Sequence, residues 1–437
     1  MIYLKTLSIE KQDDIRILVG NSYLDLHFRK MHKVFNKVMS VLLKEVGIKY
    51  KEELSTLLYN SISALKRLDK GLYLSRNNIT YTNFNKNNPE YKPISWRKIK
   101  SLLDVLENLG YITNYSGYND KIQGLSMSSC IVFSDKFIIL FDQKDIDTFG
   151  RVIVHKKAVV RERLDDDLIV EIKNVQGIGK KQKEILEIQQ WLDTHRFKFV
   201  TCEKKVDLQR IFLEDLTKSG RVYFGGLQCI ERTRRRLYEI NDVKVSEYDF
   251  DSNHMFICAE LERVILPENF KPYEIDVSDL MQCNDTKKIR TILKFCCMFL
   301  LNSGTPEATF KKFWKSHIKL IDEAVKVGDY KSAEKNIFYG VSGLKNTKAV
   351  IKRLEEHNSF AKNYFRIKGG CWEYLQNIDS NIMLKIMQKM KDLDSPFLPY
   401  HDSIVVYKDN DIVIDLMKES WREVLGSNNN CRVSKKY

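Results

Sequence analysis

The stretch PYHDSIVVYKDN, residues 399–410, places an aspartate directly before a run of strand-forming residues. Residues 404–407 predict a strand, and the polar residues 408–410 predict a turn that ends it. Because strands are commonly entered from polar turn residues, Asp402 by itself indicates only a turn. A catalytic interpretation of its carboxylate requires a second carboxylate and a set of cations elsewhere in the chain.

A second carboxylate follows another predicted strand, in VKVSEYDFDSNHMFICAEL, residues 243–261. Residues 243–248 fit a strand that delivers Asp249 at its end, and a helix-like run starts near His254. Magnesium prefers oxygen ligands and often takes one or two carboxylates together with substrate phosphates. Asp249 and a second aspartate could therefore converge on a pair of metal ions, with Asp251 as the alternative ligand.

The cations stand on a predicted helix in DTKKIRTILKFCCMFLLNSGTP, residues 285–306. Arg290 and Lys294 are four residues apart, so a helix places both on one face, while apolar residues cover the other directions. An Arg and a Lys presented from one surface can bind a triphosphate. The alternative is an ordinary amphipathic helix with surface cations, and the helix taken alone favours that alternative.

The order of these segments resembles motifs A, B and C of the family A DNA polymerases and the related single-subunit phage-type RNA polymerases. In that family, motif A is a strand that ends in a metal-binding Asp, motif B is an Arg-x-x-x-Lys helix of the fingers, and motif C is a His-Asp pair at a palm strand. Upstream, SGRVYFGGLQ (219–228) and ERTRRRLYEIND (231–242) resemble segments of small phage- and plasmid-type members. The resemblance covers residues 205–410.

The resemblance implies an α+β fold, with a right-hand palm and fingers built on an antiparallel palm sheet over residues 205–437. It implies that Asp249 and Asp402 hold two Mg²⁺ ions, for which Mn²⁺ can substitute, and that Lys294 protonates the departing pyrophosphate. Template and primer nucleic acid and nucleoside triphosphates are the implied partners. The substrate-binding positions that it implies, or that basic charge favours, are Arg221, Arg235, His254, Arg290, Lys294 and His401.

Three departures from the family pattern lie where the sugar is selected. Family A DNA polymerases usually have a Glu five residues after the motif A Asp, where it blocks a ribose 2′-OH, and His254 stands there here. Motif B usually continues to Tyr-Gly, where this chain has Asn302-Ser303-Gly304. After the motif C Asp the DNA enzymes commonly have Glu and the RNA enzymes Ser, and here the residue is Ser403. The choice between DNA and RNA synthesis therefore stays open.

Residues 1–145 predict a helical, winged-helix-like region that binds nucleic acid. Residues 22–70 show helical apolar spacing, and a second helix is predicted between the N-cap Ser95 and the C′ residue Gly110. Strands are predicted after it, including IVFSDKFIILF, residues 131–141. A winged helix-turn-helix has this order of elements: helices, then a basic helix, then a β-hairpin. A small α+β domain used for packing is the alternative.

Residues 146–204 predict a connector that could form a thumb or a helix-hairpin-helix element. The triplet Gly177-Ile178-Gly179 leads into a Lys-rich helix, and glycines of this kind let backbone N–H groups approach a phosphate. A plain loop followed by a helix is the favoured alternative, because a short Gly-x-Gly is a weak motif.

The composition is globular and basic. The 437 residues are 43% apolar, the formal net charge is +14 and the pI is about 9.1, which favours two or three domains and a polyanionic partner. The nine cysteines contain no C-x-x-C pair, which argues against a zinc ribbon and favours free thiols in a reducing compartment. Without a signal sequence or an apolar span, a cytoplasmic location away from membranes is expected, in the host cytoplasm if a phage encodes the chain.

Together these features predict a template-directed nucleotidyltransferase, most simply a DNA polymerase of family A type that uses two Mg²⁺ ions in phage or plasmid replication. Two alternatives remain. One is a single-subunit RNA polymerase or primase, which Ser403 and the missing Glu favour. The other is a DNA-binding replication initiator whose palm is inactive. The oligomeric state does not follow from the sequence.

Overall fold

The computed structural model describes residues 2–437 except residues 21, 23, 25–34, 88–92, 121–124, 149–159, 164–168, 172–176, 201, 214, 327, 329, 345 and 409. The chain forms two compact units. The first unit comprises residues 1–159, 179–209 and 223–245, and the second unit comprises residues 160–178, 210–222 and 246–437. The domains predicted over 1–145, 146–204 and 205–437 stay predictions.

The helices of the described residues are α1 (Ile9–Val19), α2 (Phe35–Val46), α3 (Lys51–Lys66), α4 (Asn78–Asn87), α5 (Trp96–Asn108), α6 (Asp135–Ile138), α7 (Gln143–Thr148), α8 (Ile178–Leu192), α9 (Arg232–Arg235), α10 (Asn253–Leu261), α11 (Thr286–Asn302), α12 (Pro306–Lys326), α13 (Tyr330–Lys335), α14 (Thr347–His357), α15 (Trp372–Asp392) and α16 (Ile412–Leu425). None of them combines the length and the apolar character that crossing a membrane requires.

The strands of the same residues are β1 (Ile2–Tyr3), β2 (Gly71–Tyr73), β3 (Ile112–Ser116), β4 (Tyr118–Asp120), β5 (Leu125–Met127), β6 (Cys130–Phe133), β7 (Val160–Arg163), β8 (Ile169–Glu171), β9 (Phe197–Phe199), β10 (Cys202–Lys204), β11 (Gln209–Leu213), β12 (Asp215–Tyr223), β13 (Glu239–Ile240), β14 (Val243–Phe250), β15 (Phe397–Tyr400), β16 (Ser403–Tyr407) and β17 (Val433–Lys435).

The first unit packs helices against a four-stranded sheet of order β1-β3-β6-β2. β6 pairs antiparallel with both β2 and β3, while β1 pairs parallel with β3. Its main core is formed by aliphatic and aromatic residues of α2, α3, α5 and the sheet. Of the region predicted to be helical over residues 22–70, α2 and α3 form residues 35–66, and residues 25–34 lie outside the described part of the chain.

Helix α5 follows its sequence pattern closely. Its apolar stripe is buried, with Leu102 and Leu106 fully enclosed. Ser95 occupies the N-cap position, although its side chain makes no capping hydrogen bond. At the other end Gly110 has φ +76° and donates to Glu107 O at 2.9 Å, and the next N–H, of Tyr111, donates to Leu106 O at 2.9 Å. This pair of bonds is a Schellman motif, so the predicted C′ glycine is confirmed.

The strand predicted over residues 131–141 is correct only in its first part. β6 ends at Phe133, and residues 135–138 form the short helix α6. Ser134 stops the strand because its Oγ accepts from Phe137 N at 3.3 Å, which starts the helical turn. Phe137 is then fully buried in the core. The winged-helix arrangement of this region stays a prediction.

The second unit combines strands and long helices. β15 and β16 form an antiparallel hairpin, and the second half of β14 pairs antiparallel with β17. A separate sheet has the order β12-β11-β7-β8, in which β11 and β7 run parallel. Helices segregated from largely antiparallel sheets confirm the predicted α+β class. Of the predicted connector, residues 149–159, 164–168 and 172–176 lie outside the described residues, and α8 begins at Ile178.

Helix α11 is amphipathic, as its sequence predicts. Asp285 caps it by accepting from Lys287 N at 2.9 Å and from Lys288 N at 3.3 Å. One face is buried against α12 and α14. Arg290 and Lys294 are exposed on the other face. The predicted helix and the shared face of its two cations are therefore present.

Candidate active site

Asp249 and Asp402 are brought together by adjacent strands of the second unit. Asp249 lies near the end of β14, and Asp402 lies directly before β16. The next residue along β14, Phe250, donates its N–H to the carbonyl of Asp402 at 3.1 Å. Tyr248 and Phe250 are buried, so strand alternation turns the Asp249 side chain to the opposite face, where it remains 18% exposed. Two aspartates far apart in sequence thus lie at the same end of two neighbouring strands.

Asp402 is both a turn residue and a site residue. His401 and Asp402 form the two-residue connection of the β15–β16 hairpin, because Tyr400 pairs with Ser403. His401 has φ +56°, the left-handed conformation that two-residue hairpin turns require and that costs a non-glycine residue energy. The hairpin holds Asp402 at its tip, and both side chains of the turn are partly exposed.

Ser403 points away from this tip into the sheet. Its side chain is buried, and its Oγ donates to Glu247 Oε1 at 3.1 Å. Glu247 is itself only 1% exposed and lies two residues before Asp249 on the same face of β14. The serine that the sequence associates with sugar selection is therefore engaged in a buried hydrogen bond between β14 and β16.

A third aspartate, Asp379 of α15, lies beside the other two. It is fully buried, and its Oδ2 accepts from Arg221 Nε at 3.1 Å and from Arg221 Nη2 at 2.8 Å. Its Oδ1 accepts from Asn253 Nδ2 at 2.7 Å. Burial raises the pKa of Asp379, and the hydrogen bonds and charge of Arg221 oppose that rise. Asp379 thereby links β12, α10 and α15.

His254 stands next to this ion pair as a neutral imidazole. Arg221 Nη2 is 3.4 Å from His254 Nε2. Burial, reinforced by the positive charges of Arg221 and Lys294, lowers the pKa of His254 to about 3. An arginine can only donate, so the ring proton is assigned to Nδ1 and Nε2 accepts. His254 is therefore uncharged, and its Nδ1–H is a hydrogen-bond donor.

The charge of Lys294 on α11 acts on Asp402 and on His254. Burial and the neighbouring Asp379 carboxylate raise the pKa of Asp402, and the cations of Arg221 and Lys294 oppose the rise. Lys294 also acts on His254, so its ammonium lies within electrostatic range of both residues. The structure therefore brings one cation of the predicted helix to the aspartates.

The other cation of α11, Arg290, lies along the helix over a buried tyrosine. The Arg290 guanidinium is 5.7 Å from the centre of the Tyr273 ring, and its Nε is 3.5 Å from Glu274 Oε1. Burial raises the pKa of Tyr273, and Arg290 and Asp402 both act on that hydroxyl. A groove of about 830 Å³, lined by residues 273–290, opens beside Arg290.

Arg235 belongs to the first unit and not to the residues just described. It ends the short helix α9, and its Nε donates to the carbonyl of Ile230 at 3.4 Å. Its neighbour Arg234 is engaged by Asp14 at 2.7 Å and by the carbonyl of Glu10 at 2.8 Å. The predicted substrate contact of Arg235 stays a prediction.

Two aspartates fit what Mg²⁺ needs from a protein. Among the described residues there is no cluster of three or more His, Cys, Asp or Glu side chains that could hold a metal ion by themselves. Magnesium usually keeps waters and completes its shell with substrate phosphates, so one or two carboxylates suffice. The ammonium of Lys436 lies 3.5 Å from Asp249 Oδ2, so the Asp249 carboxylate already faces a cation. That Asp249 and Asp402 hold the ions stays a prediction.

The sequence analysis missed Asp379, Asn253, Glu247 and Lys436. One signal was present for Asp379, because residues 376–381 of α15 read QNIDSN, five uncharged polar or acidic residues among six. That run faces β11 and β12, where Ser219 Oγ donates to Gln376 Oε1 at 3.0 Å and Arg210 donates to Asn381 Oδ1 at 2.8 Å. This polar segment of α15 is therefore the part of the helix that contacts β11 and β12.

Comparison with known proteins gives only weak similarity to solved structures. No protein-family model matches the sequence, and no curated protein matches it. Among solved structures the chain is similar to the POL domain of Pol1 from M. smegmatis, in complex with DNA primer-template and dNTP. The TM-score is 0.30 at 15% sequence identity, over 59% of this chain and 52% of that chain. The chain thus spans about half the length of that polymerase domain.

Proposed function

We propose that the chain is a template-directed nucleotidyltransferase, a DNA polymerase of family A type with the second unit as palm and fingers. The observation that carries the proposal is the junction of β14 and β16. There the Phe250–Asp402 backbone bond of 3.1 Å holds two aspartates side by side, with Lys294 and Arg221 acting on Asp402. Paired carboxylates faced by cations suit phosphoryl transfer, in which positioning and charge neutralisation dominate catalysis.

In this proposal each side chain has a defined task. Asp249 and Asp402 would hold Mg²⁺, which when bound would lower the pKa of the primer 3′-hydroxyl and neutralise charge on the leaving pyrophosphate. Lys294, exposed on α11, protonates the departing pyrophosphate, and Arg290 binds the triphosphate.

Three further residues orient the primer end and the sugar. Arg221 is held by Asp379, and the same Nη2 that donates to Asp379 Oδ2 also lies 3.4 Å from His254 Nε2. His254 donates from Nδ1 near the incoming sugar, and His401 at the hairpin tip positions the primer end.

The basic first unit suits the nucleic acid. The net charge of +14 favours phosphate contacts, and a winged-helix-like arrangement of α5, β3 and β6 would place the duplex or single strand. Arg235 would contribute a phosphate contact. The proposed setting is replication of a phage or plasmid, in the host cytoplasm, with template, primer and nucleoside triphosphates as partners.

RNA synthesis is the second candidate, and the environment of His254 favours it. A neutral imidazole replaces the family's blocking carboxylate, so a ribose 2′-OH would meet a hydrogen-bond partner and not a negative charge. An initiator with an inactive palm is the third candidate, in which the first unit alone carries function.

The test is incorporation of labelled nucleotide on a primed template, with dNTPs or rNTPs, with and without Mg²⁺. We expect Mg²⁺-dependent extension, and a loss of at least about 10²- to 10³-fold in Asp249→Asn and in Asp402→Asn. Asp392→Asn is the control, because this residue of α15 is 72% exposed. Extension with rNTPs alone would replace the DNA proposal by RNA synthesis. Nucleic-acid binding without incorporation under any condition would support the inactive palm.

A further inference from the structure

A lysine from the neighbouring strand lies at the carboxylates of the candidate active site. Lys436 Nζ is 3.5 Å from Asp249 Oδ2 and 3.0 Å from Asp251 Oδ1. The same ammonium donates to Ser434 Oγ at 2.5 Å. Its side chain is 26% exposed, so the ion pair is partly withdrawn from water. Neither the resemblance nor the proposed mechanism assigns Lys436 a task.

The strand register, and not a chance side-chain conformation, brings Lys436 to this place. Asp249 pairs with Ser434 in the antiparallel ladder of β14 and β17, and the ladder continues because Lys436 N donates to Glu247 O at 2.8 Å. Directly paired residues share a face of the sheet, and so do residues two apart. Ser434 and Lys436 therefore project on the face that carries Asp249.

Asp251 and Ser434 hold the ammonium in position. Ser434 Oγ donates to Asp251 Oδ1 at 2.8 Å, so the hydroxyl and the carboxylate form one acceptor cluster for Lys436. The Asp251 side chain is 45% exposed and the Asp249 side chain is 18% exposed. Of the two carboxylates that pair with Lys436, the more buried one is therefore Asp249, the proposed metal ligand. The ammonium thus occupies the approach to Asp249 from the side of β17.

We propose, on the basis of the two-aspartate metal site proposed above, that Lys436 is a built-in cation that competes with the divalent ion for Asp249. A fixed positive charge beside a ligand carboxylate forms an ion pair with that carboxylate in the metal-free protein. The same charge repels a metal ion that approaches the carboxylate. Binding of the ion then requires Lys436 to withdraw toward Asp251. Lys436 thereby sets the metal affinity of the site, and it does so without being a metal ligand.

The experiment measures binding of Mn²⁺ to the protein without nucleotide or nucleic acid, from the electron paramagnetic resonance signal of the free ion. We expect Lys436→Gln to lower the Mn²⁺ dissociation constant by about 3- to 5-fold, the upper part of the range for an exposed ion pair. Lys436→Arg retains the charge and should leave the constant within about twofold of the wild type. Lys435→Gln is the matched control, because this exposed neighbour projects to the opposite face.

The outcomes separate this inference from the proposed function. Tighter Mn²⁺ binding in Lys436→Gln alone supports the competition. If the constant is unchanged or weaker in Lys436→Gln, while Asp249→Asn loses the site, Lys436 does not compete and the metal site stands. If neither the wild type nor Lys436→Gln binds Mn²⁺, the metal site and the inference both fail. Lys436→Arg, which preserves the ion pair, guards against a folding defect as the cause of any change.

Discussion

At the scale of single residues, the Arg221–Asp379 pair is the most constrained feature of the site. Asp379 is fully buried and the Arg221 side chain is only 16% exposed, so both charges have lost most of their hydration. Such a pair persists only when hydrogen bonds satisfy both partners, as three donors from Arg221 and Asn253 do here for the carboxylate. The pair fixes the guanidinium that reaches His254 and acts on Asp402.

We predict that Asp379→Asn destabilises the protein by about 2–4 kcal/mol, because the substitution leaves the guanidinium buried beside an amide in place of a carboxylate. The free energy of unfolding from urea titration measures the effect. Asp392→Asn on the same helix is the control, and this exposed change should stay within about 0.5 kcal/mol of the wild type. Equal stability of Asp379→Asn and the control would contradict a buried ion pair.

At the scale of elements, β12 bends directly before Arg221. Ser219 and Gly220 have φ +58° and +81°, two consecutive left-handed residues inside a strand. The carbonyl of Gly220 accepts from the buried Arg210 at 2.8 Å, and a Cβ on Gly220 would lie 2.6 Å from the Phe212 ring. The bend aims Arg221 at α15, and glycine is needed for both its conformation and its close approach.

We predict that Gly220→Ala costs about 3 kcal/mol, the sum of a left-handed backbone and overpacking against Phe212. Gly426→Ala is the matched control in the same unit, because Gly426 has φ +88° with nothing within 4 Å of an added Cβ. The control should cost only the backbone part, about 1–2 kcal/mol. Urea titrations of the two variants measure the difference, and equal losses would show that Phe212 is not displaced.

At the scale of the whole molecule, the cysteines are free thiols at different depths. None of the nine forms a disulfide. Six are buried, two are half-buried, and Cys229 is exposed. Burial raises the pKa of Cys297 to about 12 and of Cys371 to about 11, so their thiolates are scarce near neutral pH.

We predict that a thiol reagent such as 5,5′-dithiobis(2-nitrobenzoate) modifies Cys229 first in the native protein. Cys202 and Cys283, which are half-buried, should follow more slowly, and the six buried thiols should react only after denaturation. Burial raises the pKa of Cys297 and of Cys371, so these two thiols should stay protonated and contribute nothing to the native phases near neutral pH. Fewer than nine reactive thiols in denaturant without reductant would contradict the absence of disulfides.

Local patterns predicted the parts of this protein that depend on neighbours in sequence. The apolar spacing of α5 and its Gly110 cap, the shared face of Arg290 and Lys294, and the strand ends that carry Asp249 and Asp402 are all present. The error at residues 135–138 also has a local origin, since Ser134 can cap a helix and an apolar run cannot by itself distinguish helix from strand.

Tertiary structure decided which of these residues meet, and which others join them. In the sequence, Asp379 is one polar residue of a helix, and Lys436 is the second of two adjacent lysines. Only the packing of α15 on β12 and the register of β17 on β14 bring them to Asp249, Asp402 and Arg221. The sequence alone determined the types of side chain available and the direction each takes from its own element. Burial, ion pairing and the shifts in pKa arise from contacts between elements. Electrostatic energies depend on distances in space and on lost hydration, and the local sequence specifies neither of these.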